Sequence, residues 1–284
     1  QDQSLSLQTG KLGFGYQYSK WGTRNNIASD GKTWKGPENY NLSLNYQFDD
    51  NLSLYYDRVD SNYHYITQGA KATDTKQDVE RNNVQLNYEK DHMKATVYYV
   101  DRTRMKNALT LKDGKISKDK EENNNLGFDV QKDWNIRDSK LLFGGSYQKE
   151  EYTPSGANEF SRNNFSVYTQ YEKPLSKLNT MVLSARESWT TGAPSDLNTT
   201  NFSGQAQLIH KLGEDENLYM NIGQSYKMPY LHQIYKTKEG AALKEQSGMH
   251  YELGWKKTTD DHRWRLALFN YSIDDNITAE WNDK

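Results

Sequence analysis

The sequence contains no cysteine and only 5 prolines. Without cysteine the chain has no disulfide, no thiolate metal ligand and no cysteine nucleophile. No apolar run reaches the roughly 18 residues that a membrane-spanning helix needs. The net charge of -2 gives no indication of a nucleic-acid partner. Hydrophobic residues make up only 34% of the chain, which is too little for a soluble domain to bury an ordinary core.

Aromatic residues are abundant in spite of this polarity. They make up 13% of the chain, with 21 Tyr and 7 Trp. Disordered chains are poor in aromatic residues, so the composition indicates an ordered fold. A large β-barrel in a membrane meets both conditions, because its interior is polar and only an outer band contacts lipid.

Apolar and polar residues alternate with a period of two along much of the chain, as they do in strands with one apolar face. The clearest alternating rows are Leu12–Tyr18, Leu42–Tyr46, Val84–Tyr88, Met93–Tyr99 and Leu126–Val130. Their polar members are mainly Gly, Ser, Asn, Gln and Thr, which favours a crowded polar lumen over an open solvent face. We predict an all-β fold, an antiparallel transmembrane β-barrel segment of about 14 strands with about 10–14 residues each.

The predicted connections come in two sizes. Short turns are predicted near Thr9-Gly10, Asp49-Asp50, Lys90-Asp91, Asn135-Asp138, Pro174-Ser176, Gly213-Glu216 and Thr259-Asp261. Long connections are predicted at 22–38, 64–79, 105–122, 153–160, 191–199 and 228–247. Short periplasmic turns opposite long extracellular loops are typical of outer-membrane barrels.

Six tryptophans lie beside these connections. Trp134, Trp255 and Trp264 are next to short turns, and Trp21, Trp34 and Trp189 are next to long ones. Indole rings favour both membrane interfaces, which predicts two aromatic girdles. The alternative is that Trp ends strands here as it does in any β protein.

Residues 217–257 carry the most specific motif. It reads NLYMNIGQSYKMPYLHQIY, followed by LKEQ at 243–246 and YELGWK at 251–256. It resembles the barrel signature of TonB-dependent outer-membrane receptors, in which a strand LYASYGRSFRAP leads into LxELY, NPxLKPE and YELGWK. The stretch 241–246 departs from that pattern, because the Asn-Pro of the family is missing. The signature positions are Tyr226, Pro229, Tyr251, Glu252, Gly254 and Trp255.

The residues of the motif also have a local interpretation. Pro229 would end the strand, and the spacing of Leu231, Ile234 and Tyr235 predicts one short helical turn. After the connection, Tyr251 and Trp255 would return to the lipid-facing row.

The resemblance implies a barrel of 22 strands around an N-terminal plug that contacts TonB. Residues 1–284 would then form a partial barrel domain without the plug and the final strands. Such a receptor lies in the bacterial outer membrane, contacts its lipid, and imports an iron chelate (siderophore) or a haem-like nutrient with energy from TonB. The alternatives are a passive porin or adhesion barrel and, as a third class, an outer-membrane enzyme. No enzyme, phosphate-loop or metal-ligand pattern occurs, so we predict no catalysis, no cofactor and no metal site.

Three groups of residues are candidates for ligand binding. They are Tyr63, His64 and Tyr65, then Arg102 and Arg104, then Tyr230, His232 and Tyr235. The first group would stack on a flat ligand or belong to the upper girdle. The two arginines would pair with an anionic ferric chelate or be ordinary rim charges. His232 lies where haem receptors of the family often place a histidine, and the alternative is a plain rim residue.

Overall fold

The computed structural model describes residues 1–26, 31–193, 197–237 and 243–278. Within these ranges the chain forms 16 strands and one short helix. The strands are β1 Asp2–Thr9, β2 Leu12–Lys20, β3 Thr23–Asn26, β4 Lys32–Lys35, β5 Glu38–Gln47, β6 Leu52–Thr67, β7 Thr73–Lys90 and β8 Met93–Thr110, followed by β9 Ile116–Ile136, β10 Ser139–Thr153, β11 Phe160–Pro174, β12 Asn179–Thr191, β13 Thr199–Lys211, β14 Glu216–Lys227, β15 Gln246–Thr258 and β16 Arg263–Asp274. The helix, α1, spans Leu231–Lys236. No helix in the described part is long and apolar enough to cross a membrane.

The strands form one antiparallel sheet in which sequence neighbours are also hydrogen-bonded neighbours. The main order runs β1-β2-β5 and then through every strand to β16. It contains all described strands except β3 and β4, which pair with each other while β4 also pairs with β6. The predicted all-β antiparallel fold is therefore confirmed, and the 14 strands of the main order agree with the predicted number.

All seven predicted short turns are present in the described part, each with two to four residues between the strands. In the turn between β5 and β6, the carboxylate of Asp49 accepts hydrogen bonds from the backbone N–H groups of Asn51 (2.7 Å) and Leu52 (3.0 Å). These hydrogen bonds to the charged form, with Asn51 the larger contributor, hold the pKa of Asp49 below its usual value. The predicted turn is thus closed by a local side-chain contact.

Two of the predicted long connections are wrong. Residues 64–79 and 105–122 are mostly strand, and only residues 68–72 and 111–115 connect β6 to β7 and β8 to β9. The strands β6, β7, β8 and β9 therefore have 16, 18, 18 and 21 residues, more than the 10–14 predicted. In these added parts both faces carry polar side chains. The hydrophobic alternation therefore stops, although the backbone hydrogen bonds between the strands continue.

The other predicted long connections also contain structure. Residues 22–38 include the hairpin β3–β4, and residues 228–247 include α1, the predicted helical turn. Parts of 22–38, 191–199 and 228–247 lie outside the described residues.

The chain divides into two compact units, which are described separately. The first comprises Gln1–Lys90, Lys94–Phe128 and Gln148–Ser161, and the second comprises Asp91–Met93, Asp129–Tyr147 and Arg162–Lys284.

In the first unit, the register separates apolar from polar side chains. One row across β1, β2, β5, β6 and β7 consists of Leu7, Phe14, Leu44, Tyr56 and Val84. The adjacent row, which points to the opposite side, consists of Ser6, Gly15, Ser43, Asp57 and Asn83. Because successive residues in a strand alternate in direction, the unit has an apolar face and a polar face.

The second unit shows the same division. Its apolar row across β12 to β16 consists of Met181, Leu208, Met220, Leu253 and Leu268. The parallel polar row consists of Ser184, Gln205, Gly223, His250 and Tyr271. The apolar side chains are not buried against a core, since Leu253 is 55% exposed and Leu268 is 72% exposed. A sheet face of this kind needs an apolar solvent.

The polar face of the second unit is fixed by hydrogen bonds between side chains. Tyr168 donates its hydroxyl hydrogen to the carboxylate of Asp129, whose two oxygens lie at 2.8 and 2.9 Å. Arg186 donates from Nη2 to the hydroxyl oxygens of Ser146 (2.9 Å) and Ser166 (2.8 Å). The polar side chains therefore satisfy one another across strands, as a polar barrel wall requires.

Candidate functional site

The YELGWK part of the signature is built around Tyr219 of β14. Gly254 is the neighbour of Tyr219 on β15, and a Cβ at Gly254 would overlap the tyrosine ring. The Tyr219 hydroxyl donates to Oε1 of Glu252 (2.6 Å), which also accepts a hydrogen bond from Nη2 of Arg265 (2.6 Å). Glycine at 254 and a carboxylate at 252 are thus needed to seat the ring and hold its hydroxyl.

Tyr251 and Trp255 alternate with these residues and lie on the apolar face. Tyr251 pairs with Ile222, and Trp255 pairs with Leu218. The indole Nε1 of Trp255 donates to Oε1 of Glu216 (2.7 Å) at the start of β14. The return of both side chains to the apolar row agrees with the prediction.

A buried hydrogen bond anchors the turn after β14. Pro229 is completely buried, and its carbonyl oxygen accepts a hydrogen bond from Nη1 of Arg162 (2.7 Å). Arg162 itself is only 4% exposed. Leu231 and Ile234 bury one side of α1, so the helix is held in a fixed position by a charged and an apolar contact.

The opposite side of α1 presents the third group of candidate residues. Tyr230, His232 and Tyr235 are exposed. The rings of Tyr230 and His232 stack with centroids 5.6 Å apart and planes at 15°, and Nζ of Lys227 lies 4.8 Å from the Tyr230 centroid. Tyr226 lies at the end of β14, one residue before Lys227. The structure thus brings Tyr230 and His232 into direct contact.

The first group of candidates is divided between two faces. Tyr63 and Tyr65 lie on the polar face of the first unit, in the same alternating set as Asp57. His64 points to the other side, where its Nε2 lies 2.7 Å from Oδ1 of Asp74. The ring of His64 is therefore not part of the same cluster as the two tyrosines.

Trp34 joins the two tyrosines. It pairs with Tyr65 where β4 joins β6, and its ring centroid lies 5.0 Å from that of Tyr65 and 6.1 Å from that of Tyr63. The predicted place of Trp34 in a lipid-facing girdle is wrong, because this pairing turns its side chain to the polar face.

A hollow of about 360 Å³ opens beside these rings. It is lined by Trp21, Arg24, Trp34, Pro37, Asn39 and Tyr63, and we call it the aromatic niche. Of the residues that line the niche, only Tyr63 is a ligand candidate predicted from the sequence. The available signal was the pair of tryptophans in one connection, but their approach to Tyr63 depends on pairing between β4 and β6.

The two candidate arginines lie two residues apart in β8. Nη2 of Arg104 is held by Oδ2 of Asp119 (3.0 Å) and by Oε1 of Glu121. Two carboxylates therefore already surround the charge of Arg104, whereas the side chain of Arg102 is exposed. In the described ranges, no three His, Asp or Glu side chains come together as a possible metal site.

The fold and these sites define a class of protein: a segment of an antiparallel membrane β-barrel. It has one apolar face and one polar face, and it carries exposed aromatic and basic side chains near the strand ends. A family model described as "TonB dependent receptor-like, beta-barrel" matches residues 3–283. The chain belongs to this family of TonB-dependent receptors, which lie in the outer membrane of Gram-negative bacteria.

Solved structures show the same fold. A variant of the ferric enterobactin receptor PfeA of Pseudomonas aeruginosa, in complex with enterobactin, gives a TM-score of 0.73 at 13% identity over 96% of this chain and 50% of that one. The siderophore receptor PirA of Acinetobacter baumannii gives 0.73 at 13% identity over 97% and 49%. The copper transporter OprC gives 0.71 at 13% identity over 97% and 52%. The chain thus spans about half the length of these proteins. No curated protein matches the chain.

Proposed function

We propose that this chain is part of the barrel of an outer-membrane importer that takes up an iron chelate, either a siderophore or a haem-like nutrient, with energy from TonB. The observation that carries the proposal is the two-faced sheet of a TonB-dependent receptor barrel. The apolar rows would contact lipid, and the polar rows would line the lumen. Energy from TonB would reach the barrel through an N-terminal plug, as the resemblance implies.

The long strands support a role in ligand capture. β6 to β9 have 16 to 21 residues, whereas about 9–11 residues cross a bilayer. Their polar extensions would stand in the extracellular medium and carry Tyr63, Tyr65 and Arg102. In the second unit, α1 would present Tyr230, His232 and Tyr235 at the mouth of the barrel.

The related structures and these side chains support the proposed nature of the cargo. PfeA is a ferric enterobactin receptor and PirA is a siderophore receptor, which favours a siderophore. Exposed tyrosines and an exposed arginine suit a ligand with flat rings and negative charge. We propose transport without catalysis, consistent with a family of receptors and transporters.

The test is uptake by the full-length protein in cells that lack their own iron receptors. Cells with and without a functional TonB are given radioactive iron as a panel of ferric siderophores and as haem, and radioactive copper as a separate arm. Saturable iron uptake that disappears without TonB is the expected result. Uptake of small solutes that rises linearly with concentration and does not depend on TonB would identify a passive porin instead. Saturable TonB-dependent uptake of copper alone would replace iron with copper as the cargo.

A substitution of His232 distinguishes haem from a siderophore as the iron cargo. If haem is the cargo and His232 is its ligand, His232→Ala should abolish haem uptake, because a ring nitrogen at the rim binds the haem iron. If a siderophore is the cargo, this exposed side chain is a rim residue and uptake should change little. The matched control is His262→Ala, at an exposed histidine in the turn between β15 and β16.

A further inference from the structure

The aromatic niche has the construction of a binding site for a flat ring. Trp34 forms one wall, and its ring contacts Tyr63 edge-on at an interplanar angle of 70°. Trp21 and Pro37 line the same hollow. Its volume of about 360 Å³ lies within the range of roughly 300–1,000 Å³ that is usual for small-molecule pockets.

The backbone around the niche is held in place before any ligand arrives. The hairpin β3–β4 is joined to the main sheet, because Lys32 pairs with Thr67 and Trp34 pairs with Tyr65. At the base of the hairpin, the N–H of Trp21 donates to the carbonyl oxygen of Pro37 (3.0 Å). A preformed pocket of this kind loses less entropy on binding than a free loop would.

The approach of these two backbone segments requires glycine at position 36. Gly36 has a φ of +65°, and a Cβ there would lie 3.1 Å from the carbonyl oxygen of Trp21. Both the left-handed conformation and the close contact disfavour a side chain. Gly36 therefore helps to position Trp21 at the niche.

Positive charge is placed beside the rings. Arg24 lines the niche and pairs with Trp34 across the hairpin. Nζ of Lys32 lies 5.4 Å from the ring centroid of Trp34 and 4.9 Å from that of Tyr65. Among the described residues that line the hollow there is no carboxylate. The niche thus combines aromatic walls with cations, and the second feature distinguishes it from a pocket for neutral sugars.

We propose that the aromatic niche binds an anionic aromatic ring, a phenolate or an aromatic carboxylate that belongs to a larger metal chelate. The ring would stack against Trp34 and Trp21, and its anionic group would face the guanidinium of Arg24, which suits planar oxygen acceptors. That the ring arrives as part of an imported chelate rests on the proposed function. Binding of the ring itself does not.

The test measures binding of small probes to the full-length protein in detergent, labelled with 5-fluorotryptophan and observed by fluorine NMR. The probes are salicylate and 2,3-dihydroxybenzoate, with three controls: cyclohexanecarboxylate for charge without a ring, benzyl alcohol for a ring without charge, and N-acetylglucosamine for a neutral sugar. We expect the two aromatic anions to shift the Trp21 and Trp34 signals saturably, and the controls to bind at least about tenfold more weakly.

Two variants separate ring from charge. Trp34→Leu should remove the ring on which the ligand stacks. Arg24→Gln should remove the charge, and because the side chain of Arg24 is exposed, folding should not depend on it. Each should weaken binding of salicylate by about tenfold or more. Matched controls are Trp264→Leu and Arg263→Gln, whose side chains are exposed on β16 in the second unit and should leave binding unchanged.

Several outcomes would overturn the proposal. Equal binding of cyclohexanecarboxylate removes the role of the ring, preferred binding of the sugar assigns another ligand, and absence of saturable shifts removes the site. Unchanged salicylate binding in Arg24→Gln removes the role of the charge even if Trp34→Leu fails to fold.

If the niche binds aromatic anions but no TonB-dependent uptake occurs, only the proposed transport function fails. If chelates are imported and both variants bind and import as well as the unmodified protein, only the niche assignment fails.

Discussion

The ring of Tyr219 lies against Gly254 on the neighbouring strand, so that a Cβ at position 254 would overlap it. The ring cannot simply move aside, because its hydroxyl donates to Glu252 and accepts from Nε of Arg265 (3.1 Å). We therefore predict that Gly254→Ala destabilises the barrel by about 1–3 kcal/mol, the usual cost of overpacking. Urea unfolding in detergent or lipid measures it.

Two further variants test this explanation of the signature. Gly213→Ala is the matched control, since the nearest atom to a Cβ at position 213 is 4.0 Å away, and it should be close to neutral. Tyr219→Leu should reduce the additional cost of Gly254→Ala, because the smaller side chain vacates the space. Additive effects of the two substitutions would show that the contact does not explain the glycine.

If the apolar face of the sheet contacts lipid, an arginine should destabilise the barrel on that face and be tolerated on the polar face. Leu253→Arg places a charge in the apolar row of the second unit, and we expect it to destabilise the inserted barrel by about 2–4 kcal/mol. Ser184→Arg, on the polar face of the same unit, should insert normally. Insertion is measured by heat-modifiable migration in gels after folding into lipid vesicles. Equal tolerance of both variants would contradict the assignment of the apolar face to lipid.

The anchor between Arg162 and Pro229 predicts a local effect on α1. Arg162→Met keeps an apolar stem of similar length but leaves the buried carbonyl oxygen of Pro229 without this donor, at a cost of about 1–3 kcal/mol. Hydrogen exchange of the peptide that covers Leu231–Lys236 should become faster. Arg263→Met, at an exposed position, is the control. Unchanged exchange in Arg162→Met would mean that burial of Leu231 and Ile234 alone fixes the helix.

The sequence determines much of this fold by local rules. The row from Leu12 to Tyr18 is a strand because one face is apolar, and the turn at Asp49 is recognisable because a short carboxylate caps the following N–H groups. The YELGWK motif identified the family because its glycine and glutamate have a structural task around Tyr219. Each of these features depends on residues close in sequence or on one repeated pattern.

Features that depend on distant partners were not predictable in the same way. The strand extension at Thr73–Glu80 carries polar side chains on both faces, with Val79 as its one apolar residue, so only its pairing with β6 reveals it. The aromatic niche depends on the contact between Trp34 and Tyr65, which are far apart in sequence and meet through the pairing of β4 with β6. A hydrophobic period reports an apolar surface on one side, and it says nothing where both sides are polar.

The turn at Asp49 predicts a pH dependence with a defined sign. Its folded-state pKa is lowered by hydrogen bonds from Asn51 and Leu52. The stabilisation is therefore fully present above the unfolded pKa of about 3.9 and is lost as the pH falls through the lower folded value. The difference in stability between the unmodified protein and Asp49→Ala should be constant at neutral pH and shrink on acidification in this window. Asp50→Ala is the control, and a difference that does not change with pH would contradict the role of the charge.

The long strands predict that proline is not tolerated where the sequence pattern resembles a loop. Gln77 lies in β7, paired with Tyr63 of β6, and β8 flanks the strand on its other side. Proline there removes a ladder hydrogen bond whichever neighbour accepts it, so Gln77→Pro should destabilise the barrel by about 1–3 kcal/mol and accelerate hydrogen exchange in the distal parts of β6 and β7. Ala70→Pro is the control. It lies at the second position of the turn closed by the N–H of Ala72 and the carbonyl oxygen of Gly69, where proline is tolerated, and it should have little effect on exchange. If both variants behave alike, residues 64–79 form a loop rather than a ladder, and the capture surface that Tyr63 and Tyr65 would form loses its rigid support.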